Sequence, residues 1–163
     1  MKVLAKYLLD TTVHKLHVAR FMSSIAGRLL WRAVVHDLSK YGKTEREIYA
    51  RVTPLFKEHP YGSEGYKDVV AQLGPALEHH YAANRHHPEH FSVRKDTADT
   101  GMGHMNVIDA VEMLCDWKAA SMRRKNVDFL EQLKEQRKDR DCEYRSIADL
   151  RKVLERTAKD LGW

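Results

Sequence analysis

The sequence predicts an all-α protein, and three observations carry that expectation. Apolar residues recur at helical spacing over most of the chain, only four prolines occur in 163 residues, and the turn signals (Gly27, Pro60 to Gly62, Gly74-Pro75) separate or kink the periodic stretches. A chain of this length fits one domain able to bury most of the apolar surface its unfolded form exposes. Its 43% apolar and 31% charged residues are those of a folded, not a disordered, polypeptide.

Taken in order, residues 2 to 26 read as a first helix, with Val3, Leu4, Tyr7, Leu8, Leu16, Phe21 and Ile25 recurring along it. Gly27 separates it from a second, 29 to 40, which is apolar almost all round (Leu29, Leu30, Trp31, Ala33, Val34, Val35) and so belongs in the middle of the core. The final turn of that helix carries His36 and Asp37. A third helix opens at Thr44 as N-cap and runs to Phe56, where His59-Pro60-Tyr61-Gly62 breaks it. Residues 65 to 83 form the next, its inner side marked by Val69, Val70, Leu73 and Leu77 and its middle kinked at Gly74-Pro75.

Residues 91 to 105 lack apolar periodicity and read as a flexible loop suited to a lid. Asn106 then caps a helix to about Arg124, whose Val107, Ile108, Val111, Met113, Leu114 and Trp117 are core-like. Asp109, Glu112 and Asp116 make an acidic stripe at i, i+3 and i+7, with Asp109 expected to face solvent. Residues 127 to 137 and 146 to 161 complete the chain as charged amphipathic helices, the last opening on a capping-box-like Ser146 to Asp149. The expected organisation is a core of 1 to 125 with an extension, 126 to 163, packed on the same domain.

Composition narrows the function classes. No apolar run approaches the ~20 residues that span a bilayer, and Lys6 and Asp10 interrupt the stretch where a secretory signal would be apolar. A cytoplasmic location is therefore expected, with no membrane partner. Cys115 and Cys142 are too few for a disulfide framework and lack metal-finger spacing, which leaves two reduced thiols, Cys115 in the core. The net charge of +5 attracts polyanions or anionic substrates without choosing between them.

The chemistry centres on the run from Ala33 to Tyr41, where an adjacent imidazole and carboxylate interrupt apolar residues. Burying His36 and Asp37 becomes favourable if a divalent cation binds both; alternatively Asp37 caps the next turn and His36 is a half-buried side chain. Lys40 lies three residues after Asp37 on the same side, placed either to hold a phosphate oxygen or to complement a helix C-terminus. Glu45, one turn before Tyr49, either orders a ligand histidine through its other ring nitrogen or is a surface charge in a first helical turn. Five of the ten histidines fall between His79 and His90, a compositional pointer to metal. Glu112 stands one turn before Asp116, as support for a ligand or as a proton acceptor.

In the order His14, His36-Asp37, His79-His80, Asp116, the sequence resembles the HD-domain superfamily of metal-dependent phosphohydrolases. The closer resemblance is to a family of short, uncharacterised HD-like proteins, often encoded by phages. Its landmarks are His36-Asp37-Leu38-Ser39-Lys40 with Glu45 and Tyr49, His79-His80, Asn84, His86-His87, Glu112-Met113 and Asp116-Trp117, covering about His14 to Ala120. The resemblance implies an HD-like helical bundle with His14, His36, Asp37 and Asp116 as metal ligands. It further implies that His79 and His80 each serve an ion, that His86 and His87 meet the substrate's leaving oxygen, and that Lys40 and His87 neutralise charge on a phosphate.

A mixed nitrogen and oxygen set suits one or two divalent transition ions, manganese, iron, cobalt, nickel or zinc. The expected activity is hydrolysis of a phosphate ester in a nucleotide or related small molecule by a metal-activated water. Two other readings stay open: a di-iron oxygenase of the HD type, and a non-catalytic helical protein that binds nucleic acid through its basic C-terminal helices. A homo-oligomer is compatible with all three.

Overall fold

Helical spacing carries through the first stretch without a break, and Lys2–Val35 form one helix of 34 residues, α1. The computed structural model describes residues 2–60, 62–91, 104–122 and 128–130. Every regular element among them is helical, so the all-α expectation holds. No helix there is long and apolar enough to cross a membrane. The chain divides into two units, Met1–His36 and Asp37–Trp163. The boundary expected near residue 125, the lid expected within 91 to 105 except for its ends, and the two C-terminal helices except for 128–130 lie outside the described residues.

The first unit corrects the sequence reading at Gly27. A Cβ there would meet nothing within 4 Å, and the residue sits inside the helix instead of ending it. Glycine costs a helix interior about 1 kcal/mol relative to alanine, too little to stop a helix flanked by good helix formers such as Met22, Ala26, Leu29 and Leu30. Because the chain does not turn back, residues 29 to 35 have nothing of their own unit to pack against. They are not a core helix: Leu30, Trp31 and Val34 are exposed, and α1 buries no residue.

His36 and Asp37 also lie beyond the helix, not in its last turn. Asp37 has φ 56° and ψ 20°, the left-handed conformation that ends helices and that aspartate, with asparagine and glycine, tolerates best. A 3₁₀ turn over Leu38–Tyr41 follows, in which the Lys40 N–H donates to the Asp37 carbonyl at 3.0 Å.

In the second unit α2 spans Lys43–Val52 with Gly42, not Thr44, at its N-cap. A 3₁₀ turn over Thr53–Lys57 leads towards α3, Glu64–Ala71, whose N-cap Ser63 accepts a hydrogen bond from the Tyr66 N–H. The expected kink is a full break. Gly74 takes φ 46° and ψ −127°, which only glycine adopts freely, and α4 then runs over Pro75–Ala83. Val52, Val69 and Leu73 form a buried cluster against Ile48, Tyr49, Leu55, Phe56 and Leu77. α2 packs on α4 and on the Leu38–Tyr41 turn.

Helix α5, Val107–Ser121, starts where expected: the Asn106 side chain accepts from the Asp109 N–H while the Asp109 carboxylate accepts from the Asn106 N–H. Ala110, Met113 and Leu114 are buried, whereas Val107 and Cys115 are exposed against expectation. Asp109 reverses its expected place. It is fully buried and accepts from Arg85 Nη2 at 3.0 Å and Arg85 Nε at 3.3 Å, a forked pair that offsets the cost of burying its charge.

Two glycine substitutions test this fold in opposite directions. Gly27→Ala is expected to raise stability by about 0.5 to 1 kcal/mol, and Gly74→Ala to lower it by about 1 to 3 kcal/mol, both read from urea unfolding. A destabilised Gly27→Ala protein would show that the helix turns there after all.

Candidate metal centre

Asp37, His80, His86 and His87 each turn one ligand atom to a common point in the second unit, all within 4.8 Å of one another. Three different local structures deliver them: the left-handed turn after α1 supplies Asp37, α4 supplies His80, and the segment after α4 supplies His86 and His87. His80 and His86 are buried, with Asp37 and His87 half-buried.

The two contacts to Asp37 are longer than hydrogen bonds, whereas that between His80 and His87 has hydrogen-bond length. Asp37 Oδ1 stands 3.4 Å from His80 Nε2 and 3.5 Å from His86 Nε2, while His80 Nε2 and His87 Nε2 are 2.9 Å apart. Two atoms bound at about 2.1 Å to one ion are separated by about 3.0 Å in octahedral and about 3.4 Å in tetrahedral geometry. Neither contact to Asp37 reaches the 2.7–3.2 Å typical of N–H···O bonds.

Buried carboxylates hold the far side of two of these rings. Glu45, fully buried in the first turn of α2, places Oε2 3.0 Å from His80 Nδ1, and Glu112 on α5 places Oε1 3.2 Å from His86 Nδ1. A carboxylate beside Nδ1 favours the tautomer with the proton there, which leaves the Nε2 lone pair aimed at the centre. Glu45 does the same for His79, whose Nδ1 is 2.7 Å from Oε1.

The ring of His80 is further fixed by residues that the list of candidate ligands left out. Asn84 Nδ2 donates to the His80 carbonyl and to Ser39 Oγ, both at 2.8 Å, and Ser39 Oγ itself is 3.3 Å from His80 Nδ1. Both residues lie in the landmark motifs, so the signal was present, but a hydroxyl and an amide are not ligand types and drew no role.

The electrostatics suit a cation. Among the described residues, Asp37, Glu45, Glu112 and Asp116 bring four carboxylates to or around the centre, against the ammonium of Lys40, whose Nζ is 2.6 Å from Asp37 Oδ2. Burial lowers the His80 pKa, aided by Lys40 and opposed by Asp37 and Glu45. Burial, then His86 and His80, push His87 down to about 3, with Asp116 and Asp37 opposing. Both rings therefore stay neutral, the form that binds a metal. Burial, reinforced by Glu45, raises the pKa of Tyr49 and keeps its hydroxyl protonated, and Lys40 Nζ lies 5.1 Å from the centre of that ring.

Of the expected residues, then, Asp37, His80, His86 and His87 come together, the last two inside the ligand group and not only facing substrate. Lys40, Glu45 and Glu112 surround it, and Asp116 offers a carboxylate oxygen within 4.8 Å of a His86 ring nitrogen. Glu45 is no surface charge. His79 stays outside the group, exposed, with Nδ1 taken by Glu45. His36 is half-buried at the end of the first unit. His14 is exposed on α1, which continues unbroken to Val35. Roughly 30 Å of helix axis thus separates it from His36, and one ion cannot take both from this chain. The expected convergence of His14 with His36 fails because Gly27 does not fold the helix back.

The depressed histidine pKa values set a pH dependence. Below about 6.5 the unfolded chain takes up protons that the folded centre resists, so stability falls with pH, for His87 until about 3. In chelator-treated protein the thermal midpoint is expected to drop between about pH 6.5 and 5, above the carboxylate range, and His87→Asn to flatten that drop. An equally steep drop in the variant would acquit His87.

No curated protein and no solved structure matches the chain. Residues 4–160 match the model of a family of unknown function (DUF5662), and the chain belongs to that family.

Proposed function

We propose that this protein is a metal-dependent phosphohydrolase that cleaves a phosphate ester of a nucleotide or related small molecule. The observation that carries the reading is the donor group itself: three imidazole nitrogens and one carboxylate oxygen within 4.8 Å, two of the rings backed by buried carboxylates. The order His14, His36-Asp37, His79-His80, Asp116 in the sequence also resembles the HD superfamily, which adds the reaction class by analogy and not by geometry.

Asp37, His80, His86 and His87 would hold the ion, with Asp116 beside His87. Neutral nitrogen donors with one or two carboxylates suit manganese, iron, cobalt, nickel or zinc better than calcium. When bound, such an ion acidifies a water and polarises a phosphoryl oxygen. The protein's own groups do the positioning. Glu45 and Glu112 fix ring direction and tautomer; His79 braces Glu45 from the solvent side. Lys40 orients Asp37 and, being the ammonium of the centre, is placed to offset charge on a bound phosphate. The half-exposure of Lys40 and Asp37 lets substrate approach from their side, while His80 and His86 are closed to solvent.

The test is metal analysis of protein purified without a histidine tag, with a screen of nucleotide phosphates at neutral pH. Asp37→Asn, which keeps the tolerance for the left-handed backbone, is expected to lose both metal and turnover. Glu45→Gln is expected to weaken metal binding about 10- to 100-fold with the helical signal unchanged. Stoichiometric metal with full turnover in Asp37→Asn would sink the ligand set; metal bound without hydrolysis of any phosphate ester would leave a metal protein of another class.

A further inference from the structure

Apart from His14, no residue of α1 enters the reading above, yet the helix carries a long apolar stripe. Leu4, Tyr7, Val18, Phe21 and Ile25 are all exposed. A helix draws most of its stability from packing an amphipathic face, and exposed apolar surface of this extent marks an interaction site. The stripe keeps a seven-residue register. Leu4, Thr11, Val18, Ile25 and Arg32 take one seam position, with Tyr7, His14, Phe21, Arg28 and Val35 three residues after each.

We propose that α1 pairs antiparallel with α1 of a second copy of this chain. Three features select that occupant. The first is size: a helix of 34 residues is about 51 Å long, and a seam of that length approaches the about 800 Å² per partner of a standard stable interface.

Charge is the second feature. Asp10, the one acidic residue of α1, stands near its start, while Arg28 and Arg32 occupy seam positions near its end. Parallel pairing would set Arg28 against Arg28 and Arg32 against Arg32. Antiparallel pairing sets both arginines beside Asp10 of the second copy and opposes the helix dipoles favourably. Register is the third. When Val18 faces Phe21 of the second copy, every seam residue meets one of the other set: Leu4 meets Val35, Thr11 meets Arg28, and Ile25 meets His14. The contact is self-complementary and closes on a twofold axis.

Sedimentation of the full chain at about 100 µM should give a dimer. Phe21→Asp should raise the dimer dissociation constant at least about tenfold, whereas Leu16→Asp, equally exposed but off the seam, should not. Nitroxides on the outer face, with Cys115 and Cys142 changed to serine, read direction independently of any interface variant. Labels at Arg20 should lie close together across the dimer, while labels at Lys6 should be about 40 Å apart along the axis. A monomer, a dimer broken by Leu16→Asp and not by Phe21→Asp, or Lys6 labels as close as those at Arg20 would each overturn the pairing. So would strong hydrogen-exchange protection of α1 in a monomer, which would mean that the chain covers the stripe itself.

Discussion

The contact on which the second unit's arrangement depends is the Glu45 carboxylate between two imidazoles. A carboxylate with no solvent exposure is costly unless every oxygen is engaged, and here Oε1 meets His79 Nδ1 while Oε2 meets His80 Nδ1. Its position in the first turn of α2 helps, because unpaired N–H groups there favour negative charge. The effect on the histidines is directional. With Nδ1 held by Glu45, the His80 ring can rotate little, and its Nε2 is fixed toward Asp37 Oδ1 and His87 Nε2. One buried charge on α2 thus determines where a nitrogen on α4 points.

A parallel device works from α5. Asp109 is also a buried carboxylate in a first helical turn, and it closes the N-terminal cap of α5 while receiving the Arg85 fork. Arg85 immediately precedes His86. The pair therefore ties the segment after α4 to the same helix that, one turn later, presents Glu112 to His86 Nδ1. Asp109 offers no atom to the group, but together with the Glu112–His86 contact it holds the segment carrying His86 and His87 to α5. The acidic stripe of α5 consequently divides by task along the helix: Asp109 anchors backbone, Glu112 orients a ring, and Asp116 raises the basicity of His87.

Much of this was legible in residue order and some was not, for definable reasons. Helical periodicity marked the stretches that become helices, because spacing is a local property of the chain, but it divided α1 and joined α3 to α4. The Asn106 cap was equally local, and so was found. Gly27 misled because a mid-helix glycine and a helix-ending glycine look alike until φ is known, and Gly27 lacks the positive φ of Gly74. That one misreading produced another, a core helix at residues 29 to 40, and it left room for His14, given its ligand role by the family resemblance, to meet His36. Asp109 was assigned to solvent because its partner, Arg85, is distant in sequence, and a long-range ion pair leaves no periodic trace. The histidine cluster was readable as a cluster. Which ring faces the centre depended on Glu45 and Glu112, residues of other helices, so His79 and His80 could not be told apart from spacing alone.

Asp37 shows how backbone and charge combine at the centre. Left-handed φ at a non-glycine residue costs stability and persists only where surroundings fix it. Here the fixing contacts are on both sides of the carboxylate: Lys40 Nζ on Oδ2, and the His80 and His86 Nε2 atoms near Oδ1. Lysine satisfies Oδ2 with a charged hydrogen bond, while Oδ1 faces the Nε2 edges of the His80 and His86 rings, whose Nδ1 atoms lie against Glu45 and Glu112. Under the proposed function, a dication held there would offset the surrounding carboxylates. The left-handed backbone at Asp37 thus turns one carboxylate oxygen toward Lys40 and the other toward the two imidazoles.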